Sequence, residues 1–102
     1  MLLDVTRLRA LREEVGDDGF VEVLDLFLVE SDEVVERMCS PDAGDPSEAD
    51  LHFLKGIALN LGFDDLADLC RRAERGAGFD PQALRAKYAG TRAALAAALE
   101  GV

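Results

Sequence analysis

Positive charge is scarce in this sequence. The 102 residues include 11 Lys and Arg against 21 Asp and Glu, and the formal net charge is −10. Nucleic acids and anionic membranes bind proteins through clustered Lys and Arg, so this balance argues against both as partners. No apolar run approaches the ~20 residues that span a bilayer. The start, MLLDVTRLRALREE, becomes charged too early for a secretory signal. We therefore expect a cytoplasmic protein.

Cysteine and aromatic residues are also few. The two cysteines, Cys39 and Cys70, have the spacing of neither a zinc site nor a redox pair. We expect reduced, largely buried thiols, with a disulfide as the alternative. The aromatics are five Phe and one Tyr with no Trp, whereas Ala and Leu are abundant, which favours helices over strands. Hydrophobic residues make up 49% of the chain, enough for the core of a single domain spanning residues 1–102.

Glycine and proline divide the chain into segments with helical periodicity. No segment alternates in the manner of a strand, and the loops between segments are short, so consecutive helices should be antiparallel neighbours. The sequence therefore predicts an all-α fold, an antiparallel up-down four-helix bundle with a short extra N-terminal helix laid on one end. The predicted helices span residues 4–15, 20–38, 46–61, 65–75 and 81–99.

Capping residues set the predicted helix ends. Asp45 before Pro46 reads as an N-cap followed by proline at the first helical position, and Asp80 before Pro81 repeats this start. Gly62 should end the second helix of the bundle in a left-handed cap.

Two bundle helices carry apolar stripes at steps of three and four residues. Ser31 falls on the apolar stripe of the predicted helix 20–38, as a small polar exception. The inward residues are predicted to be Phe20, Val23, Leu24, Phe27, Val34 and Met38 in one helix and Leu84, Tyr88, Leu95 and Leu99 in the other.

The stretch HFLKGIALNLGF, residues 52–63, contains the only histidine. At about 100° per residue, the core-facing residues of this helix centre about 190° away from His52. The imidazole should therefore point into solvent. An exposed histidine with no function is the ordinary alternative, because such residues are common.

The residues around His52 weaken that alternative. Gly56 costs about 1 kcal/mol in a helix interior relative to Ala, yet it lies one turn from the ring and leaves room for a bound group or a partner. Lys55 lies at the edge of the same side, either as an ordinary solvated lysine or as a cation for a phosphoryl group. Leu59 and, if the helix continued that far, Phe63 would expose apolar surface suited to docking.

At these residues the sequence resembles the histidine phosphotransfer (HPt) domain family of two-component phosphorelays. The family pattern is roughly H-x-L-K-G-small-small-x-x-L-G, and the resemblance extends over essentially the whole chain. Two residues depart from it: Ile57 and Leu59 each replace a smaller residue. Some members place a basic or amide side chain from the next helix near the phosphoryl group, whereas this chain has Glu74 there. The matching residues are His52, Leu54, Lys55, Gly56, Ala58, Asn60, Leu61 and Gly62.

The resemblance implies that His52 carries a phosphoryl group between receiver-domain aspartates or from a kinase. It also implies that Lys55 neutralises part of the charge of that group and that Gly56 leaves space beside the ring. It implies response-regulator receiver domains and sensor or hybrid histidine kinases as partners, with magnesium on the receiver and no cofactor here. No nucleotide-binding loop is present, so we expect a stoichiometric carrier rather than an enzyme. We expect a monomer, because no large extra apolar face is evident.

Two alternatives remain open at this point. An HPt-like module could dock and regulate a receiver or histidine kinase without carrying phosphate. A metal-binding bundle using His52 with carboxylates is disfavoured, because the chain has one His and no E-x-x-H pair. The partners, the direction of phosphate flow and the arginine nearest His52 are not determined by the sequence.

Overall fold

Four helices make up the fold in the computed structural model, which describes residues 1–100. Helix α1 packs against α2 and α4, and α3 packs against the same two helices, which closes a four-helix bundle. No strand occurs within residues 1–100. The predicted all-α bundle is confirmed. The helices are α1 (Val5–Met38), α2 (Glu48–Leu61), α3 (Asp64–Glu74) and α4 (Pro81–Glu100).

Helix α1 is broken at one residue. Gly16 has φ 79° and ψ 165°, a conformation outside the helical region that glycine adopts without a side-chain clash. The break divides α1 into a first arm, residues 5–15, and a second arm, residues 17–38. These arms correspond to the short N-terminal helix and the long bundle helix predicted from the sequence. The second arm begins directly after Gly16, so residues 17–19, which lie outside the predicted helices, are helical.

The N-terminal segment is bonded to the end of the bundle where α2 meets α3. The Asp4 N–H donates to the Gly62 carbonyl at 2.7 Å, and the Asp65 N–H donates to the Met1 carbonyl at 3.1 Å. The amino terminus also pairs with the Asp65 carboxylate at 2.7 Å. Leu8 is buried in the core cluster. The first arm therefore lies on one end of the bundle, as predicted.

Helix α2 starts later than the sequence suggested. Ser47 is its N-cap, and the hydroxyl accepts a hydrogen bond from the Asp50 N–H at 3.0 Å. The predicted cap at Asp45, with Pro46 as first helical residue, is wrong because the Ser47 hydroxyl reaches the N–H three residues ahead. At the other end, Gly62 has φ 80° and ψ 25°, which confirms the left-handed cap.

The core contains one buried polar contact between α1 and α4. Ser31, the exception on the apolar stripe, is fully buried, and its Oγ lies 2.7 Å from the Tyr88 hydroxyl. Leu99, predicted to point inward, is 36% exposed. Helix α3 has 11 residues against 20 in α4, so the last turns of α4 extend beyond the shorter helix. The apolar residues with 0% exposure are Leu54, Leu61, Phe63, Leu66, Cys70 and Leu84.

Two sequence-based expectations bear on the chain's environment. Cys39 and Cys70 are both buried free thiols, so they do not form the disulfide that was the alternative expectation. Within residues 1–100, none of the helices combines the length and hydropathy required to traverse a bilayer.

Candidate functional site

Helix α2 presents His52 to solvent. The residue is exposed, whereas its neighbour Leu51 and the next turn's Leu54 are buried. No hydrogen bond or ion pair within residues 1–100 involves the imidazole. The angular position predicted from the sequence is confirmed, and a ring nitrogen is open to an incoming group.

The surface one turn beyond the ring is bare. A Cβ atom placed on Gly56 would meet nothing within 4 Å, so the glycine is not required by any packing contact. The Asn60 side-chain amide donates to the Gly56 carbonyl at 3.0 Å, and Arg7 donates to the Asn60 carbonyl at 3.2 Å. The first of these bonds gives the helix backbone an additional contact at Gly56, where glycine weakens a helix.

Lys55 is bound to helix α3. Its ammonium lies 2.9 Å from one carboxylate oxygen of Glu74 and 3.2 Å from the other. The lysine lies at the edge of the exposed side, as predicted, but the pairing with Glu74 was not foreseen. In the sequence, the signal for this ion pair was the negative charge of Glu74 on the following helix. Periodicity within α2 alone could not show that the side chains of Lys55 and Glu74 meet.

The apolar residues near His52 differ from the prediction in one case. Leu59 is 45% exposed, as expected, but Phe63 is fully buried. The predicted exposure and docking role of Phe63 are wrong because α2 ends at Leu61 and the left-handed Gly62 turns the chain into the core. There the Phe63 N–H donates to the Ala58 carbonyl at 2.8 Å.

A neighbouring apolar side chain was missed. Phe53 directly follows His52 and is 43% exposed. At about 100° per residue, Phe53 falls about 90° from the centre of the buried face of α2, so the helical periodicity already indicated its exposure. Phe53 and Leu59 are the exposed large apolar residues of α2, and we call them the α2 apolar pair.

The family comparison agrees with this geometry. A family model described as Hpt domain matches residues 22–102. The chain belongs to the Hpt domain family. Hpt domains carry out histidine phosphotransfer in phosphorelays, and they interact with receiver domains and histidine kinases. The match begins within the second arm of α1, so the first arm lies outside it. Searches of curated proteins and of solved structures gave no match.

The arginines at the end of α3 all line one groove with Asp68, but they differ in their relation to Lys55. Arg71 and Arg75 line a shallow groove of about 360 Å³ together with Lys55 and Glu74, whereas Arg72 does not. Arg71 also pairs with Asp68 at 3.1 Å. The sequence could not identify which arginine approaches the α2 site, and the groove shows that Arg71 and Arg75 are the two on the Lys55 side.

The donors needed for a metal site are not gathered in the described part of the chain. Within residues 1–100, no group of three or more His, Cys, Asp or Glu residues is placed to hold a metal ion. The metal-binding alternative therefore has no supporting cluster there.

Proposed function

We propose that this Hpt domain accepts a phosphoryl group on His52 from a receiver-domain aspartate or a kinase and passes it to the aspartate of another receiver. The observation that carries the proposal is the solvent-exposed imidazole on α2, with open space at Gly56 one turn away. Phosphoryl transfer requires in-line positioning and charge stabilisation more than covalent help from the protein. An exposed ring on a helix gives a receiver access to a ring nitrogen for in-line attack.

The transfer step is a substitution at phosphorus. The lone pair of one ring nitrogen of His52 attacks the phosphorus of the receiver's aspartyl phosphate, and the bond from phosphorus to the carboxylate oxygen breaks. That oxygen keeps the electron pair, so the aspartate leaves as a carboxylate, and the other ring nitrogen keeps its proton. The onward step is the reverse reaction with a second receiver. The domain is therefore a stoichiometric carrier.

Lys55 and Gly56 would serve this step in different ways. The Lys55 ammonium can donate hydrogen bonds to phosphoryl oxygens and offset part of their negative charge. Gly56 leaves the ring approachable, because no side chain projects beside it. Magnesium would be supplied by the receiver, so the proposal requires no cofactor on this chain.

The α2 apolar pair, Phe53 and Leu59, would contact the receiver beside His52. Such an interface should be small and transient, because a relay must release its partner.

The proposed carrier acts as a monomer in the cytoplasm. The exposed large apolar residues in the second arm of α1, which are Val21, Leu26 and Val29, are interspersed with carboxylates rather than forming a continuous apolar face.

The decisive test is incubation with a phosphorylated receiver domain. We expect label on the protein that is labile in acid and stable in base. His52→Gln should abolish the label and leave the melting curve unchanged; a labelled His52→Gln protein would refute the proposal. Lys55→Ala should slow transfer or shorten the lifetime of the phosphohistidine, and if it did neither, Lys55 would have no part in the reaction.

A second candidate is an Hpt-like module that docks and regulates a receiver or histidine kinase without carrying phosphate. The pairing of Lys55 with Glu74 favours it, since the charge a phosphoryl group would need is already neutralised. This candidate predicts that binding and its regulatory effect both survive in His52→Gln. The carrier proposal predicts that binding survives but that phosphate no longer passes through.

A further inference from the structure

The ammonium of Lys55, which lies one turn of α2 from His52 and could serve a phosphoryl group there, is already paired with the Glu74 carboxylate at 2.9 Å. We propose that Glu74 is a positioning residue that holds the Lys55 ammonium against α3 in the unphosphorylated domain and competes with the phosphoryl group for it. The inference rests on the proposed function. Glu74 acts through Lys55, its ion-pair partner, and makes no hydrogen bond with the imidazole.

The pair is better shielded from solvent than the other ion pairs within residues 1–100. The Lys55 side chain is 21% exposed and that of Glu74 is 27%. In each of the other pairs, at least one side chain is more than a third exposed. Exposed pairs contribute little because solvent and salt screen them, so this pair should be the most persistent of the set.

Helix α3 places the Glu74 side chain on the face that also carries a core residue. Glu74 lies four residues after Cys70, so the two share one face of the helix, and Cys70 is fully buried in the core. The ammonium, by contrast, ends a flexible four-carbon side chain and can turn toward a new anion. Lys55 is therefore the partner expected to move toward a phosphoryl group on the neighbouring ring.

This arrangement changes the energetics of phosphorylation. An incoming phosphoryl group meets an ion pair of zero net charge rather than a free cation. Lys55 must weaken its contacts with Glu74 to reach the phosphoryl oxygens. Glu74 thus shifts the equilibrium away from phosphorylated His52 and toward the receiver, which makes the domain a better phosphoryl donor than it would be with a neutral residue at this position.

The test is the equilibrium distribution of labelled phosphate between a receiver domain and this protein. Glu74→Gln should move the distribution toward His52 by about two- to five-fold, the size expected for a partly exposed ion pair. In a Lys55→Met background the same substitution should have a much smaller effect. Glu36→Gln is the matched control, because it removes an equal charge from an interhelical pair with Arg85 on α4, and it should leave the distribution unchanged.

The outcomes of this experiment distinguish failure of the proposed function from failure of the role proposed for Glu74. Absence of label on the unsubstituted protein would defeat the proposed function itself, before Glu74 is considered. With label present, no shift in Glu74→Gln would overturn the inference. An equal shift with and without Lys55 would also overturn it, because Glu74 would then repel the phosphoryl group directly. If Glu74→Gln lowered the melting temperature, Glu74→Asp, which keeps the charge but shortens the reach, should give a shift of the same sign and smaller size.

Discussion

Asp4 and Gly62 approach each other so closely that only glycine fits at position 62. The Asp4 N–H donates to the Gly62 carbonyl at 2.7 Å, and a Cβ atom on Gly62 would lie 2.6 Å from the Asp4 carbonyl oxygen. The same residue ends α2 with φ 80°. One glycine therefore both terminates the helix that carries His52 and binds the N-terminal segment to it.

Gly62→Ala should destabilise the domain by about 2–4 kcal/mol, combining the cost of a left-handed non-glycine residue with a backbone clash. Neither term can be relieved by rotating a side chain, because the opposing atom is a backbone oxygen. Urea unfolding followed by circular dichroism measures the change. A loss below about 0.5 kcal/mol, the range of an ordinary surface substitution, would show that the N-terminal segment is not held there.

Gly56→Ala should have the opposite effect on stability. The added methyl group meets no atom within 4 Å, and alanine is favoured over glycine in a helix by about 1 kcal/mol, so the protein should become more stable. If the proposed function holds, phosphoryl transfer should nevertheless fall, because a side chain now lies beside His52. Urea unfolding and transfer from a labelled receiver are compared on the same preparation. Unchanged transfer would show that clearance at position 56 is not required.

The buried contact between Ser31 and Tyr88 should contribute to stability without affecting transfer. The Tyr88 hydroxyl also donates to Asp32, and burial raises the pKa of Tyr88, which keeps the phenol protonated as a donor. Tyr88→Phe should cost about 1–2 kcal/mol, since it leaves buried polar groups with fewer partners. Ser31→Ala should cost less in the Tyr88→Phe background than alone. Strictly additive losses would show that the two hydroxyls are not coupled.

Periodicity and glycine positions were sufficient to predict the helices and the side of α2 that faces solvent. His52 and the left-handed cap at Gly62 lie as predicted, because both depend on interactions within a few residues of the chain. The prediction for Phe63 failed at the point where α2 ends. A helical count cannot be continued through a left-handed residue, since that residue turns the next side chain in a new direction.

The remaining differences arise from contacts between elements distant in sequence. The pairing of Lys55 with Glu74 depends on the relative rotation of α2 and α3, which neither helix's pattern contains. The exposure of Leu99 depends on the unequal lengths of α3 and α4. These features require tertiary structure, whereas the shift of the α2 cap to Ser47 is a choice between two local signals, Asp45 and Ser47, that both fit the rules for an N-cap.

The pairing of Asp50 with Arg37 should contribute to the loss of stability in acid. A hydrogen bond from Arg37 lowers the pKa of Asp50 below its ordinary value of 3.8. A carboxyl group with a lowered pKa in the folded state stabilises the fold above the unfolded-state pKa, and this contribution is lost as pH falls through the folded-state value. The effect should therefore appear below about pH 4.

Urea unfolding at a series of pH values from 6 to about 3 tests this dependence. In Arg37→Met, the free energy of unfolding should fall less steeply below about pH 4 than in the unsubstituted protein. Arg85→Met removes the same charge from the Arg85–Glu36 pair, whose side chains are 54% and 70% exposed, and serves as the control for net charge. If Arg37→Met and the unsubstituted protein lose stability in parallel, the Arg37–Asp50 pair makes no contribution in acid.

The two thiols should be unreactive in the folded protein. Burial raises the pKa of Cys70 to about 12, and the side chain is fully inaccessible, so almost no thiolate is available at pH 8. Burial also raises the pKa of Cys39, whose thiol lies 3.4 Å from the Pro81 carbonyl oxygen. A disulfide reagent at pH 8 should react with neither cysteine at an appreciable rate until urea unfolds the chain. Cys39→Ala isolates Cys70, and its reaction rate should follow the unfolded fraction across the urea transition. Rapid reaction of Cys70 in buffer would mean that α3 opens locally one turn before Glu74, and Glu74 would then not hold the Lys55 ammonium against α3.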